Sequence, residues 1–164
     1  MVKKSGFPSE LRLDSVSQDW VVIATGRGKR PEAFKKEKRA EINIPKIKCP
    51  FCNPEAQLSP LLSYPGVFVI PNKYPAFLPS LKFEKKIEGN LYETMNAVGF
   101  CELVITKDHK KSLAQLAKSV VRQVIDSYQD RYLDLMEKPH VNYISVFHNH
   151  GKEAGASQPH PHSQ

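Results

Sequence analysis

Three residues spaced two apart, His160, His162 and Gln164, close the segment Gly155-Ala156-Ser157-Gln158-Pro159-His160-Pro161-His162-Ser163-Gln164. On an extended backbone they share one side, because side chains alternate across a strand. Such a row offers a phosphate an imidazole nucleophile, a neighbour that holds it and a hydrogen-bonding amide. A histidine attacks phosphorus when the reacting nitrogen is neutral and in line with the leaving group. The other ring nitrogen must then donate to a fixed acceptor, often a backbone carbonyl. Pro161 stiffens the geometry by fixing φ and removing a backbone donor. Asn149, Gly151, Gly155 and Ser157 add amide-bearing and small residues, and glycines let backbone N–H groups approach phosphate oxygens.

A second chemistry-bearing motif is Cys49-Pro50-Phe51-Cys52, half of a tetrahedral metal site by its spacing. The partners must come from six histidines, at positions 109, 140, 148, 150, 160 and 162. His109 lies just beyond a strand end and His160 lies in the terminal motif. The set Cys49, Cys52, His109 and His160 would make a closed site, and four protein ligands imply a structural rather than catalytic metal. Cys49 and Cys101 would also suit plain buried thiols, and the histidines near the terminus a loose, metal-binding tract. Arg27 and Arg30 flank Gly28 in a loop after a strand, where two guanidinium forks can clamp a phosphate.

These groups need elements to position them. Trp20 to Ala24 is apolar and β-branched, a strand running into the turn at Thr25-Gly26. Val67 to Ile70 reads as a short buried strand stopped by Pro71-Asn72-Lys73-Tyr74-Pro75. Gly99 to Thr106, with Cys101, Leu103 and Ile105 alternating, reads as another. A long helix is predicted from about Ser112 to Glu137, with Ser112 and Gln115 as a capping box and an apolar stripe at Leu113, Leu116, Val120, Val124, Tyr128 and Leu135. Val141 to His148 alternates as a further strand. Residues 35 to 48 and 53 to 66 read as irregular connections. No repeat or domain boundary stands out, and the pattern predicts an α+β fold, an antiparallel sheet with a long packed helix.

The 164 residues fit one domain with a real core, and 40% hydrophobic with 25% charged residues is ordinary for a soluble protein. No apolar run approaches the roughly 20 residues of a membrane span. Met1 to Phe7 is basic without the apolar stretch of a signal peptide, so a cytoplasmic location is expected. In that reducing setting the Cys-x-x-Cys pair points to metal or redox chemistry rather than a disulfide. The formal charge of +7 suits anionic partners, either nucleic acid or a phosphorylated small molecule. Basic and aromatic residues do not interleave as they do in nucleic-acid modules.

Taken together, these motifs resemble the galactose-1-phosphate uridylyltransferase family, a branch of the histidine-triad superfamily. The resemblance rests on Trp20 to Ile23 followed by Arg27-x-x-Arg30-Pro31, on Cys49-Pro50-Phe51-Cys52 and on Pro71-Asn72-Lys73-Tyr74-Pro75-Ala76. It rests also on Asp108-His109 and on Gly155-x-Ser157-x-Pro159-His160-Pro161-His162-x-Gln164. It implies a histidine-triad-like sheet forming the N-terminal half of a two-half transferase, with residues 1–164 as that domain and ending just after the catalytic motif. It implies His162 as the nucleophile that forms a covalent uridylyl-histidine from UDP-glucose, in galactose metabolism, with Gln164 stabilising the intermediate. Cys49, Cys52, His109 and His160 match the structural Zn2+ ligands. Arg27, Arg30, Phe51, Asn72, Lys73, Tyr74, Asn149, Gly155 and Ser157 match positions lining the nucleotide-sugar site.

The implied partners are a nucleotide sugar and a hexose 1-phosphate, with no membrane and no nucleic acid, and a homodimer when full length. Other members of the superfamily often carry a third histidine where Gln164 stands. An amide cannot act as the acid that a histidine can, so Gln164 favours keeping the intermediate until a second phosphate arrives. The alternatives are a related phosphorylase or adenylyltransferase using ADP-glucose or a dinucleoside polyphosphate, and a non-catalytic zinc-stabilised nucleic-acid-binding fragment. The last predicts salt-sensitive oligonucleotide binding that His162→Ala leaves unchanged.

Overall fold

The computed structural model describes residues 9–24, 44–52, 59–80, 82–89, 91–151, 156 and 158–164. They fall into two compact units, one from Met1–Lys35 with Lys73–Cys101 and one from Lys36–Asn72 with Glu102–Gln164.

The first unit carries an antiparallel sheet of β1 (Glu10–Leu13), β2 (Trp20–Ile23), β5 (Lys85–Glu88) and β6 (Tyr92–Asn96), in the order β2-β1-β6-β5. Asp14 makes the β1–β2 turn by accepting the N–H groups of Val16 and Ser17 on its carboxylate, at 2.8 and 3.1 Å. Gly89, at φ +63°, turns β5 into β6. Asn96 is buried and bonded through both ends of its amide. Its carbonyl accepts from the Glu84 N–H at 2.7 Å and its amide donates to the Lys82 carbonyl at 2.6 Å.

The second unit is built on β3 (Leu62–Ser63), β4 (Val67–Pro71), β7 (Glu102–Thr106), β8 (His148–Asn149) and β9 (His162–Ser163), ordered β3-β4-β7-β9-β8 with every pair antiparallel. Its central strands bury both faces. Val67, Val69 and Val104 meet Val124 of α1 (Lys118–Met136) on one side, while Phe68, Ile70, Leu103 and Ile105 meet Cys49 and Phe51 on the other. Leu103 and Ile105 share one face and Val104 takes the other, as the alternation over Gly99 to Thr106 predicts, but the strand is shorter. The strand starts at Glu102, and Leu103 to Thr106 are all buried because helix and loop cover opposite faces.

The predicted helix is also broken in two. Ser112 and Gln115 do cap a helical turn, with the Ser112 N–H on Gln115 Oε1 at 3.0 Å, but that turn is the single 3-10 turn Leu113–Gln115. Leu116 and Ala117 then take extended ψ values of 154° and 143°, and α1 begins afresh as Val120 N–H bonds the Ala117 carbonyl at 2.9 Å. Leu113, Val120 and Tyr128 still pack on the valine cluster. The strand expected over Val141 to His148 shrinks to His148–Asn149, extended only by the Phe147–Gln164 backbone pair. Residues 141–146 lie in no ladder of the described residues, and Tyr143 is 83% exposed, so the alternation has no buried face to serve.

Arg131 joins α1 to β7 by a fork on the Glu102 carboxylate, with both N–O distances 2.7 Å. Their side chains are only 18% and 11% exposed, so removing one strands the other in a poorly hydrated place. Arg131→Ala is expected to destabilise the chain by about 2–3 kcal/mol. A urea midpoint that falls with an unchanged slope would show it; an unmoved midpoint would count against the fork. No helix among the described residues is long and apolar enough to cross a membrane.

Candidate functional site

The site is assembled on the loop-covered face of the second sheet. The 3-10 turn Lys46–Lys48 leads into Cys49, and the Cys52 N–H bonds the Cys49 carbonyl at 3.2 Å, so a tight turn brings the two thiols together. Asp108, just past β7, accepts the N–H groups of Lys110 and Lys111 at 3.1 and 3.0 Å and so sets the bend that presents His109. His160 enters from the terminal segment, fully buried.

The ligand atoms of Cys49, Cys52, His109 and His160 all lie within 4.8 Å of one another. His160 Nδ1 is 3.4 Å from Cys49 Sγ, 3.5 Å from Cys52 Sγ and 3.4 Å from His109 Nδ1, and His109 Nδ1 is 3.2 Å from Cys52 Sγ. A tetrahedron with metal–sulfur bonds of about 2.3 Å and metal–nitrogen bonds of about 2.0–2.1 Å has edges of about 3.4–3.8 Å, so the set fits a metal ion. The outer nitrogens support this. His160 Nε2–H donates to the Thr106 carbonyl at 2.8 Å and His109 Nε2–H to the Ile44 carbonyl at 2.8 Å, which leaves both Nδ1 lone pairs turned inward. Burial, with Cys49 beside it and Lys46 opposing, pushes the Cys52 thiol up to about 11, so a metal must displace its proton.

His162 sits on β9 opposite Ile105 and Asn149 and is 6% exposed. Its Nδ1–H donates to the His160 carbonyl at 2.9 Å, so Nε2 carries the lone pair. Nε2 has no hydrogen-bond partner among the described residues. The Phe51 ring packs edge-on against it, with centroids 4.9 Å apart. Burial pushes the imidazole below its ordinary pKa while the His160 carbonyl pulls the other way, which keeps the ring neutral near pH 7. Such a nitrogen can attack phosphorus.

Gln164 pairs its backbone with Phe147, at 2.9 and 3.0 Å, and falls on the His162 side of β9 by strand alternation. Asn149 lends its backbone to β8 opposite His162. Asn72 follows β4 in the second unit, whereas Lys73 and Tyr74 belong to the first, with Lys73 Nζ 5.9 Å from the Tyr74 ring centre. Arg27, Arg30, Gly155 and Ser157 lie outside the described residues.

One group escaped the sequence reading. On the helix side of β9, Ser163 Oγ lies 2.6 Å from Tyr128 OH and 2.9 Å from His148 Nδ1, while His148 Nε2 is buried without a partner among the described residues. Two signals pointed there: Tyr128 stands in the helix stripe, and strand alternation turns Ser163 away from His162. The carbonyls of Ile44 and Thr106 left no signal at all, since a backbone acceptor has no residue type.

The described sheets and single α-helix form the fold of uridylyltransferases. One solved uridylyltransferase superposes with a TM-score of 0.65 at 24% identity, over 94% of this chain and 44% of that one. The sequence matches the family described as galactose-1-phosphate uridyl transferase, N-terminal domain, over residues 3–164, and the chain belongs to that family. Among curated relatives, an ADP-glucose phosphorylase of Arabidopsis thaliana is 33% identical across 94% of this chain and 47% of its own length. A galactose-1-phosphate uridylyltransferase of Thermotoga maritima is 29% identical across 94% and 45%. The solved Arabidopsis thaliana ADP-glucose phosphorylase with bound ADP-glucose gives a TM-score of 0.59 at 28% identity, over 94% of this chain and 47% of that one. The chain spans about half the length of the curated relatives it matches.

Proposed function

We propose that this chain is the nucleophile-bearing half of a cytoplasmic UDP-glucose–hexose-1-phosphate uridylyltransferase, homodimeric when full length. The observation that carries the reading is the single commitment of His162, with Nδ1 tied to the His160 carbonyl and Nε2 left free in a water-poor setting. Nε2 attacks the α-phosphorus of UDP-glucose, the bond to the bridging oxygen breaks, and glucose 1-phosphate leaves with the electron pair. The uridylylated ring keeps its Nδ1–H on the His160 carbonyl, an acceptor that stabilises the positive charge. A second hexose 1-phosphate then attacks the same phosphorus and Nε2 recovers its lone pair. Gln164, unable to act as an acid, hydrogen-bonds the phosphoryl oxygens. Phe51 shields the imidazole, and the family resemblance supports nucleotide-sugar binding roles for Asn149, Asn72, Lys73, Tyr74, Gly155, Ser157, Arg27 and Arg30.

Cys49, Cys52, His109 and His160 would hold Zn2+, which when bound supplies rigidity and no reactive position. They fix the start of the terminal strand, and with it the carbonyl that orients His162.

A second reading has its own support. The likeness to an ADP-glucose phosphorylase favours the same covalent chemistry on ADP-glucose, with inorganic phosphate as acceptor. Incubating the chain with UDP-glucose or ADP-glucose and recording its intact mass separates the two. A uridylyl adduct is expected, an adenylyl adduct alone would favour the phosphorylase, and no adduct with metal bound would defeat both.

A further inference from the structure

An open cleft of about 600 Å³ runs between the loop Ile44–Lys46 and residues 107–110 of the second unit. Lys46, Lys107 and Lys110 line it together with Asp108, and none of the three lysines forms an ion pair with a carboxylate among the described residues. Asp108 does not neutralise them. Its carboxylate already accepts the backbone N–H groups of Lys110 and Lys111 and pairs with Lys111 Nζ at 3.2 Å.

The walls are anchored. The His109 ring bonds the Ile44 carbonyl at 2.8 Å, tying one wall to the other, and the Lys107 N–H bonds the Gly66 carbonyl at 2.9 Å. Uncompensated cations around a fixed concavity focus positive potential into it. The volume falls within the roughly 300–1,000 Å³ of small-molecule sites. Among the described residues no Phe, Tyr or Trp lines it, and its imidazole, His109, is already bonded to the Ile44 carbonyl, so the described walls offer no stacking platform for a nucleobase or a single-stranded nucleic acid.

We propose that this cleft is a second anion site, taking a compact, multiply charged phosphate of the pyrophosphate class. It is separate from the nucleophile, because His162 does not line it, and it touches the Cys/His cluster through His109. A ligand there would brace the Ile44–Lys46 wall, and through Cys49 the metal loop.

The test is a titration of the metal-loaded, 15N-labelled chain with inorganic pyrophosphate at low salt, following backbone amide shifts. Saturable shifts are expected at Lys46, Lys107 and Lys110, weakening as salt rises. The double variant K107Q/K110Q should lower the affinity at least 10-fold, while Lys118→Gln, on the exposed start of α1, should leave it unchanged. Unaltered affinity in the double variant, no saturable shift, or shifts confined to Phe51 and His162 would each overturn the proposal. The last result would leave the nucleotidyl-transfer reading standing. Tighter binding of a single-stranded oligonucleotide at the same amides would overturn the small-ligand assignment.

Discussion

Cys52→Ala should leave the chain without its metal and lower its thermal midpoint by about 6–12 °C, while Cys101→Ala keeps both. The first figure follows from a loss of about 3 kcal/mol at about 2–4 °C per kcal/mol for a chain of this size. A loss of that order is modest beside the roughly 10–16 kcal/mol with which structural zinc binds small peptides. The geometry explains why one ligand matters so much. The cluster joins three stretches far apart in sequence, the loop at Cys49 to Cys52, the bend at His109 and the terminal segment at His160. Without the ion, side-chain and backbone contacts such as the His109–Ile44 bond must hold these stretches while buried thiols and imidazoles keep their desolvation cost. Cys101 lies in the first unit, outside the cluster. Metal content by atomic emission and a melting curve check the prediction. Equal metal in Cys52→Ala and the parent chain would remove Cys52 from the ligand set.

The parts of this molecule that were legible in the sequence are those that residue type and spacing determine. Four consecutive apolar residues at Val67 to Ile70 announce a strand buried on both faces, and Val120, Val124 and Tyr128 announce the helix side that covers it. Cys-x-x-Cys and His-Pro-His declare their chemistry because few other residue types can do it. What stayed hidden depends on partners. Residues 141–148 alternate as well as any strand, yet of these only Phe147 and His148 pair with the terminal segment, since a ladder also needs a neighbour in register. The cap at Ser112 marks a true helical start, but nothing local shows that the turn would stop after Gln115 and resume at Lys118. The roles proposed for the two terminal histidines were separable in the sequence only by resemblance, because the carbonyls that distinguish the two rings belong to the backbone.

Those carbonyls make the second large prediction. His160 commits both ring nitrogens, Nε2–H to Thr106 and Nδ1 to the cluster, so it has no lone pair left for a substrate. His162 commits Nδ1 alone. Replacing His162 with alanine should therefore abolish the nucleotidyl adduct and lower the proposed transferase turnover by on the order of 10⁴-fold or more. Metal content and the far-ultraviolet circular dichroism should stay at parental values. His162→Asn guards against collapse of the space beside Phe51, because it retains a polar side chain of similar reach without a nucleophilic nitrogen. His160→Ala should do the reverse at first sight, losing the metal, and then lose the adduct as well, since the carbonyl that holds His162 hangs from the same backbone. An adduct that survives in His162→Ala would place the nucleophile elsewhere. An adduct lost together with the metal in that variant would mean that His162 serves the cluster, and that two histidines separated by one proline do a single job.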